Sequence, residues 1–415
     1  AVLLCQIAAL VLSQSRGPFL GLLGGAYVFI LVGLLRLRSS GDESPWLTRW
    51  GSLIRWAVPG TVGAALLGLV LLVVVNMPGS PLERIRDVPY VGRLGSVLDA
   101  QSRTIQVRLY IWRSVSGLLQ SSEPLESPDG TPDGLHGLRP VLGTGPETLG
   151  TAVNRFIEPK LGQLEALTKT PDRSHNEIFD LVVMQGALGT LLWLGVFCTV
   201  CGLALRRLGL IRSRAQTVGY WSVLTVGAVA GAVAPWLASG EMTLSGVGLS
   251  VGLISSLALF ITVQSLIDSF SAKPEREGPL SVWDGLVLAL LATFVAHMVE
   301  IQVGIAVTAT RLHFWFYAAT VVLAARGWLA EEGQVSGSAG RSESGGKTPK
   351  GKRRRAKTTA ASVKAASLGD ARRNAVVHSL IDGSLCWPYI YAMTLSSQSA
   401  RTLGAIAANT WHGSD

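Results

Sequence analysis

The chain reads as an all-α, multi-pass bundle of about eight membrane helices, the first incomplete, with a long helical segment outside the membrane. Three observations predict it. Of the 415 residues 48% are hydrophobic and only 15% charged, and the mean hydropathy is +0.39, a balance unlike that of soluble globules. Apolar runs long enough to cross a bilayer recur along the chain. Arginine clusters alternate between these runs in a way that gives one consistent orientation.

In order, Ala1–Leu12 is apolar and lacks the charged start of a signal peptide, so it is expected to be the end of a membrane helix in a longer protein. Then come Pro18–Leu35, Ala57–Asn76, Ile178–Leu205, Val218–Ala238, Leu244–Ile267, Val282–Val299 and Leu312–Trp328. One connection carries Arg36, Arg38, Arg49 and Arg55; another Arg206, Arg207, Arg212 and Arg214; a third Lys273 and Arg276; a basic tail follows the last run. With strict alternation of crossings all four fall on one side, expected to be cytoplasmic. Ser13–Gly17, Met77–Asn176, Ser239–Met242 and Glu300–Arg311 are then extracytoplasmic.

The connection at 77–176 is far longer than an ordinary loop and is expected to carry function. It holds eleven Lys/Arg and eleven Asp/Glu and so has no net field. Ala100–Leu119 has amphipathic periodicity, with Ile105, Leu109 and Trp112 along one side; Tyr110 and Trp112 suit a helix lying in the membrane interface. Ser121–Gly137 reads as a loop and Ala152–Leu167 as a second helix.

The net charge of +9 sits in one place. Between Arg341 and Arg373 eleven Lys/Arg face two acids, Glu343 and Asp370. Residues 1–329 therefore form a formally near-neutral membrane domain, 330–373 a basic, disordered cytoplasmic linker that meets anionic lipid heads, and 374–415 an unassigned segment. No aromatic residues interleave the charges, which argues against nucleic acid as a partner. Cys198 and Cys201 lie inside an apolar run three residues apart and are expected to be packing residues; redox or zinc chemistry needs polar access.

Candidate chemistry gathers near Ser174–Thr190. Ser174 and Glu177 have capping-box spacing, which puts His175 in the first turn of a helix, where the dipole disfavours imidazolium and favours a phosphate. The plainer reading of His175 is a polar residue marking where the helix leaves water. Asp180 follows as an orienter of the histidine or an arginine partner. Arg16, Arg108 and Arg139 lie on the same side, as phosphate ligands or snorkelling anchors; Arg113 shares that alternative. Gly143-Thr144-Gly145-Pro146 is a turn able to aim N–H groups at an anion. Glu300 and Arg311, with His297 and His313 nearby, bound the last outer connection as an ion pair or a site. Asp284 reads as a boundary residue.

Together these motifs resemble the O-antigen ligase and O-antigen polymerase superfamily. Ser15-Arg16-Gly17 stands at a helix junction, and Arg108 opens an Arg-x-x-x-Trp helix. A Gly-x-Gly-Pro-Glu turn follows at Gly143–Glu147. His175-Asn176 is then separated by nine residues from Gly186-x-x-Gly189. The resemblance covers roughly Val11–Trp328, and lacks the helices that precede the Ser-Arg-Gly segment in full members. It implies an enzyme of the bacterial inner membrane acting on its extracytoplasmic side, without metal or other cofactor. Such an enzyme transfers a glycan from undecaprenyl diphosphate to an acceptor hydroxyl, on a glycan or lipid core, with inversion. By position it implies His175 as the base. Arg16 and Arg108 would bind the diphosphate, and Arg139, Arg173, Asn176, Glu177 and Asp180 would rank second as substrate-binding residues. Glu300 and Arg311 remain possible site residues. A flippase or transporter of lipid-linked sugars would instead place charges at mid-helix, and an assembly scaffold would tolerate loss of His175.

Overall fold

The computed structural model describes residues 10, 12, 15–39, 45–77, 79–82, 102–126, 130–165, 170–271 and 281–326, all within one compact unit, Ala1–Gly333. Ala1–Leu12, most of the basic 330–373 segment's neighbourhood and the whole of 330–415 fall largely or entirely outside the described residues, as do Lys273 and Arg276. The described elements are helical: α1 (Arg16–Ser39), α2 (Pro45–Asn76), α3 (Arg103–Gln120), the short α4 (Arg139–Leu142), α5 (Leu149–Val153) and α6 (Leu161–Leu164), then α7 (Glu177–Arg207), α8 (Arg214–Ser239), α9 (Ser245–Phe270), α10 (Val282–Glu300) and α11 (Thr308–Ala325).

Six helices among the described residues are long and apolar enough to cross a membrane: α1, α2, α7, α8, α9 and α10. They match six of the apolar runs. The seventh run, Leu312–Trp328, is helical as α11 but is not among the six; Arg311 and His313 sit in its first turns. The expected helix at Ala152–Leu167 is corrected to short turns, α5, a 3-10 turn at Asn154–Phe156 and α6. Pro159 between them cannot donate an N–H and interrupts the run.

Helix boundaries follow local chemistry. Pro18 occupies the first turn of α1, where its missing N–H costs nothing. Ser213 and Gln216 close a reciprocal capping box at α8, which ends on Gly240 at φ 72. Ser281 caps α10 by accepting the Asp284 N–H at 3.1 Å.

Between apolar helices in a lipid environment, close contact and hydrogen bonds do the holding, since lipid is as apolar as leucine. Glycines supply the closeness. A Cβ on Gly21 or Gly25 of α1 would lie 2.6 Å or 2.7 Å from the carbonyls of Ala296 and Ala292 in α10. Gly227 of α8 meets Gly252 of α9 as tightly: a Cβ there would lie 2.8 Å from the Gly252 carbonyl. Rings fill the interior, with Phe294 stacked on Phe314 at 4.8 Å and Trp193 on Phe314 at 5.5 Å. Cys198 and Cys201 are free and buried, as their setting predicts, and the Cys198 carbonyl accepts the Tyr220 hydroxyl at 2.6 Å. Leu66, Leu67 and Val70 of α2 and Val226, Val229 and Leu237 of α8 face outward, as lipid-facing side chains do.

One end of the bundle is closed by carboxylates. Asp284 takes Arg36 Nη2 at 3.1 Å and Arg207 Nε at 2.8 Å, joining the ends of α1 and α7 to the start of α10. Both Arg36 and Asp284 side chains are under 5% exposed, at 4% and 3%. Arg38 donates to the backbone carbonyls of Asp268, Ser269 and Ser271, and Arg212 Nη1 bonds Asp268 at 2.9 Å. Arginines from two connections thus meet at one end, where Arg38 and Arg212 also reach the end of α9. Asp284, expected to mark a boundary, is corrected to the hub of this buried cluster.

The long connection packs on the other end. Helix α3 buries Trp112 and Val115 beside Leu149, Val153, Phe179, Val183 and Met184. Trp112 is 6% exposed and donates Nε1–H to the Ser174 carbonyl at 2.9 Å. It is therefore a core residue, which corrects its reading as an interface anchor; its indole N–H finds a partner that burial obliges it to have.

Candidate functional site

Helix α7 starts two residues later than the capping-box reading expects. Its cap is Asn176, whose Oδ1 accepts the Phe179 N–H at 3.1 Å. His175 is consequently not in the first turn but precedes the cap, with φ 59, a left-handed conformation uncommon outside glycine. Its two flanks are pinned. The Ser174 N–H donates to Asp180 Oδ1 at 2.7 Å, and the Ser174 carbonyl receives Trp112. Ser174 Oγ bonds the Asn176 backbone on both sides, at 2.7 Å to O and 3.1 Å from N.

Burial lowers the His175 pKa first, and the nearby Arg108 charge lowers it further; Asp172 and Glu165 act the other way. The ring is thus held neutral at neutral pH, as expected, but by desolvation and an arginine. Arg108 is itself shifted down, by burial and then by the charge of Arg16. The Arg108 guanidinium, on α3, is thus in electrostatic range both of Arg16 at the start of α1 and of His175 before α7. Two guanidiniums within range of each other favour a multiply charged anion, and a neutral imidazole can accept a proton from a hydroxyl.

The second-rank residues divide. Asp180 is 2% exposed and holds the Ser174 N–H, so it orients the histidine through the backbone. Asn176 is fully buried; besides capping α7 its Nδ2 reaches Gln302 O at 3.3 Å and Oε1 at 3.2 Å. Gln302 Oε1 also accepts Ser250 Oγ at 2.6 Å, so this amide ties α7, α9 and the end of α10 together. Asn176 is spent on structure. Glu177 does not cap the helix: its carboxylate pairs with Arg311 Nη2 at 3.0 Å, and its N–H donates to the Ile301 carbonyl. Arg311 therefore pairs with Glu177, not with Glu300, which faces His297 Nδ1 at 4.0 Å. Arg173 pairs with Glu147 and touches Met184 Sδ at 3.5 Å. Arg113 meets Glu241 at 3.3 Å, both exposed.

Arg139 is not brought to the cluster. Its fork grips Asp133, Nε to Oδ2 at 2.7 Å and Nη2 to Oδ1 at 3.1 Å, and Nη1 donates to the Gly143 carbonyl. The carboxylate raises the Arg139 pKa and the arginine lowers that of Asp133. The Gly143–Pro146 turn is likewise corrected as an anion site. Its N–H groups are engaged: Gly143 to Arg139 O at 2.7 Å, Thr144 to Val183 O at 2.8 Å and Gly145 to Met184 O at 3.0 Å. Those last two carbonyls are available because α7 breaks at Gly186, φ 66 and ψ −174. Gly143 has φ 77 and ψ −179, and a Cβ on either glycine would collide with the other segment's backbone. The two lie in a region of backbone space that only glycine readily enters. The helix start is also no open anion site, since Ile301 O and Asn176 Oδ1 take two of its N–H groups.

Sequence reasoning missed Gln302, Asp172, Glu165 and the Gly186 break. The signal for Gln302 was present: an amide at the end of a membrane helix, beside Glu300. No group of three or more His, Cys, Asp or Glu among the described residues is arranged to hold a metal ion. Compared with protein-family models, with curated proteins and with solved structures, the chain matches none.

Proposed function

We propose that the chain is a multi-pass glycosyltransferase of the O-antigen ligase or polymerase kind. It moves a glycan from undecaprenyl diphosphate to an acceptor sugar hydroxyl at the outer face of a bacterial inner membrane. The observation that supports the reading is the central place of Arg108, which is in electrostatic range of Arg16 on one side and of His175 on the other, three residues from widely separated parts of the chain. In this reading the guanidiniums hold the diphosphate. The acceptor oxygen attacks the anomeric carbon as its proton passes to the His175 imidazole. The anomeric C–O bond to phosphate breaks, and its electron pair leaves on the diphosphate, whose charge the arginines stabilise. Back-side attack inverts the anomeric configuration. The reaction draws on the donor's own leaving group, so the step balances without a further reactant.

A carrier of lipid-linked sugars is the alternative. It predicts charge buried at mid-helix; the buried Arg36 and Asp284, like the half-buried Arg207, lie at helix ends. The test is to supply membranes containing the chain with a synthetic polyprenyl-diphosphate glycan and an acceptor glycolipid, and to identify the lipid products by mass spectrometry. His175→Ala is expected to lower transfer by about 10²–10⁴-fold with insertion unchanged, the range of a lost general base. Transfer at the wild-type rate by that variant would remove the assignment.

A further inference from the structure

Next to this cluster, on the far side of Asn176, a cleft of about 270 Å³ runs between α7 and α11. It is amphiphilic along its length. At the end near His175 lie Glu177 and Arg311; Gln185 lies midway, and deeper its walls are Leu192, Trp193 and Trp315. Leu192 and Gln185 are exposed and Trp315 is 51% exposed, so the cleft opens sideways between the two helices. From Glu177 to Leu192 is about 22 Å along a helix at 1.5 Å per residue, most of the hydrocarbon depth. A molecule lying here has its head among polar groups and its tail along apolar ones.

The polar end selects a neutral head. Glu177 cancels Arg311 at 3.0 Å, and its carboxylate repels a phosphate. The pair still presents acceptors and donors together, and the Gln185 amide adds one of each. That mixture matches the hydroxyls of a sugar. The arrangement is the opposite of Arg16 and Arg108, where like charges meet. We propose that this cleft binds a neutral, sugar-headed lipid, head toward Glu177 and tail toward Leu192. Its role as the acceptor site rests on the function proposed above; the binding claim does not.

The experiment uses the full chain in lipid nanodiscs with two photoactivatable probes of equal tail length, an alkyl β-glucoside and an alkyl phosphate, mapped by mass spectrometry. The glucoside is expected to label α7 and α11 around Trp193 and Trp315, and octyl glucoside, not octyl phosphate, to compete. The double variant Gln185→Leu, Trp315→Ala alters two exposed side chains and should cut labelling by at least about tenfold. If that variant fails to fold, the label map and competition on the unaltered chain decide alone. Competition by the phosphate equal to that by the glucoside, absence of label in the cleft, or undiminished labelling of a folded double variant would overturn the proposal. Labelling is read without transfer. A labelled cleft in an unaltered chain that transfers no glycan sinks the function and keeps the site; transfer that is lost in His175→Ala, with an unlabelled cleft, does the reverse.

Discussion

The two ends of this bundle use arginine in opposite ways. At one end Asp284 sits between Arg36 and Arg207, and Asp268 holds Arg212. At the other, the half-buried Arg108 feels the positive charge of Arg16 and acts in turn on His175. An arginine gripped by a buried carboxylate joins helices and has little left for a ligand. An arginine whose charge is opposed by that of another carries an electrostatic load that an arriving anion relieves. The choice of neighbour, not the arginine, separates holding from binding.

The comparison breaks most visibly at Asp284. Asp284→Ala removes the carboxylate between two arginines and is expected to cost about 3–5 kcal/mol of stability. Thermal unfolding in detergent measures it, and the fraction that stays folded should still bind undecaprenyl diphosphate. Intact stability would mean that this end is not held by its charges. Gly186→Ala comes next. It forces a side chain into a glycine-only conformation against the Val141 carbonyl and should cost about 2–3 kcal/mol. Proteolysis within 130–165 would then rise, because the turn at Gly143 loses its berth on α7. Arg139→Ala is the smallest change and the sharpest for the rule. Arg139 lies in the same connection as Arg108 but faces Asp133, so transfer should stay close to wild type. A large loss of donor binding in Arg139→Ala would show that location outweighs partner.

What the sequence made legible follows from the range of the forces involved. Six membrane helices can be read because a run of apolar residues of bilayer length is a local property, and alternating arginines add orientation. The loop helix α3 was readable from its period. What escaped depends on partners distant in the chain. Asp284 near a helix start reads as a boundary residue, yet Ser281 caps the helix and the Asp284 carboxylate meets arginines of α1 and α7. Ser174 and Glu177 have the right spacing for a capping box, but Asn176 between them is the better cap and shifts the start of α7, moving His175 off the helix. Gly186 stands in the sequence only as the first glycine of a Gly-x-x-Gly motif; its break shows only once Thr144 and Gly145 claim the carbonyls it frees. Of the candidate site, the motif residues His175, Arg16 and Arg108 were nameable from the chain. Arg139 and the glycine turn were not separable from them, because nothing local tells that Asp133 and α7 have already used their donors.

The central claim, that Arg108 and His175 face one anion site, is tested most directly by titrating His175 with ring-labelled histidine NMR on the chain in nanodiscs. Burial and Arg108 both disfavour imidazolium, so the wild-type ring should titrate below 6.5. Arg108→Ala removes one of those causes and should raise the value toward 6.5. Undecaprenyl diphosphate, bringing negative charge, should raise it in the wild type as well. A His175 that titrates at or above 6.5, or that ignores both the Arg108 substitution and the diphosphate, would contradict the account.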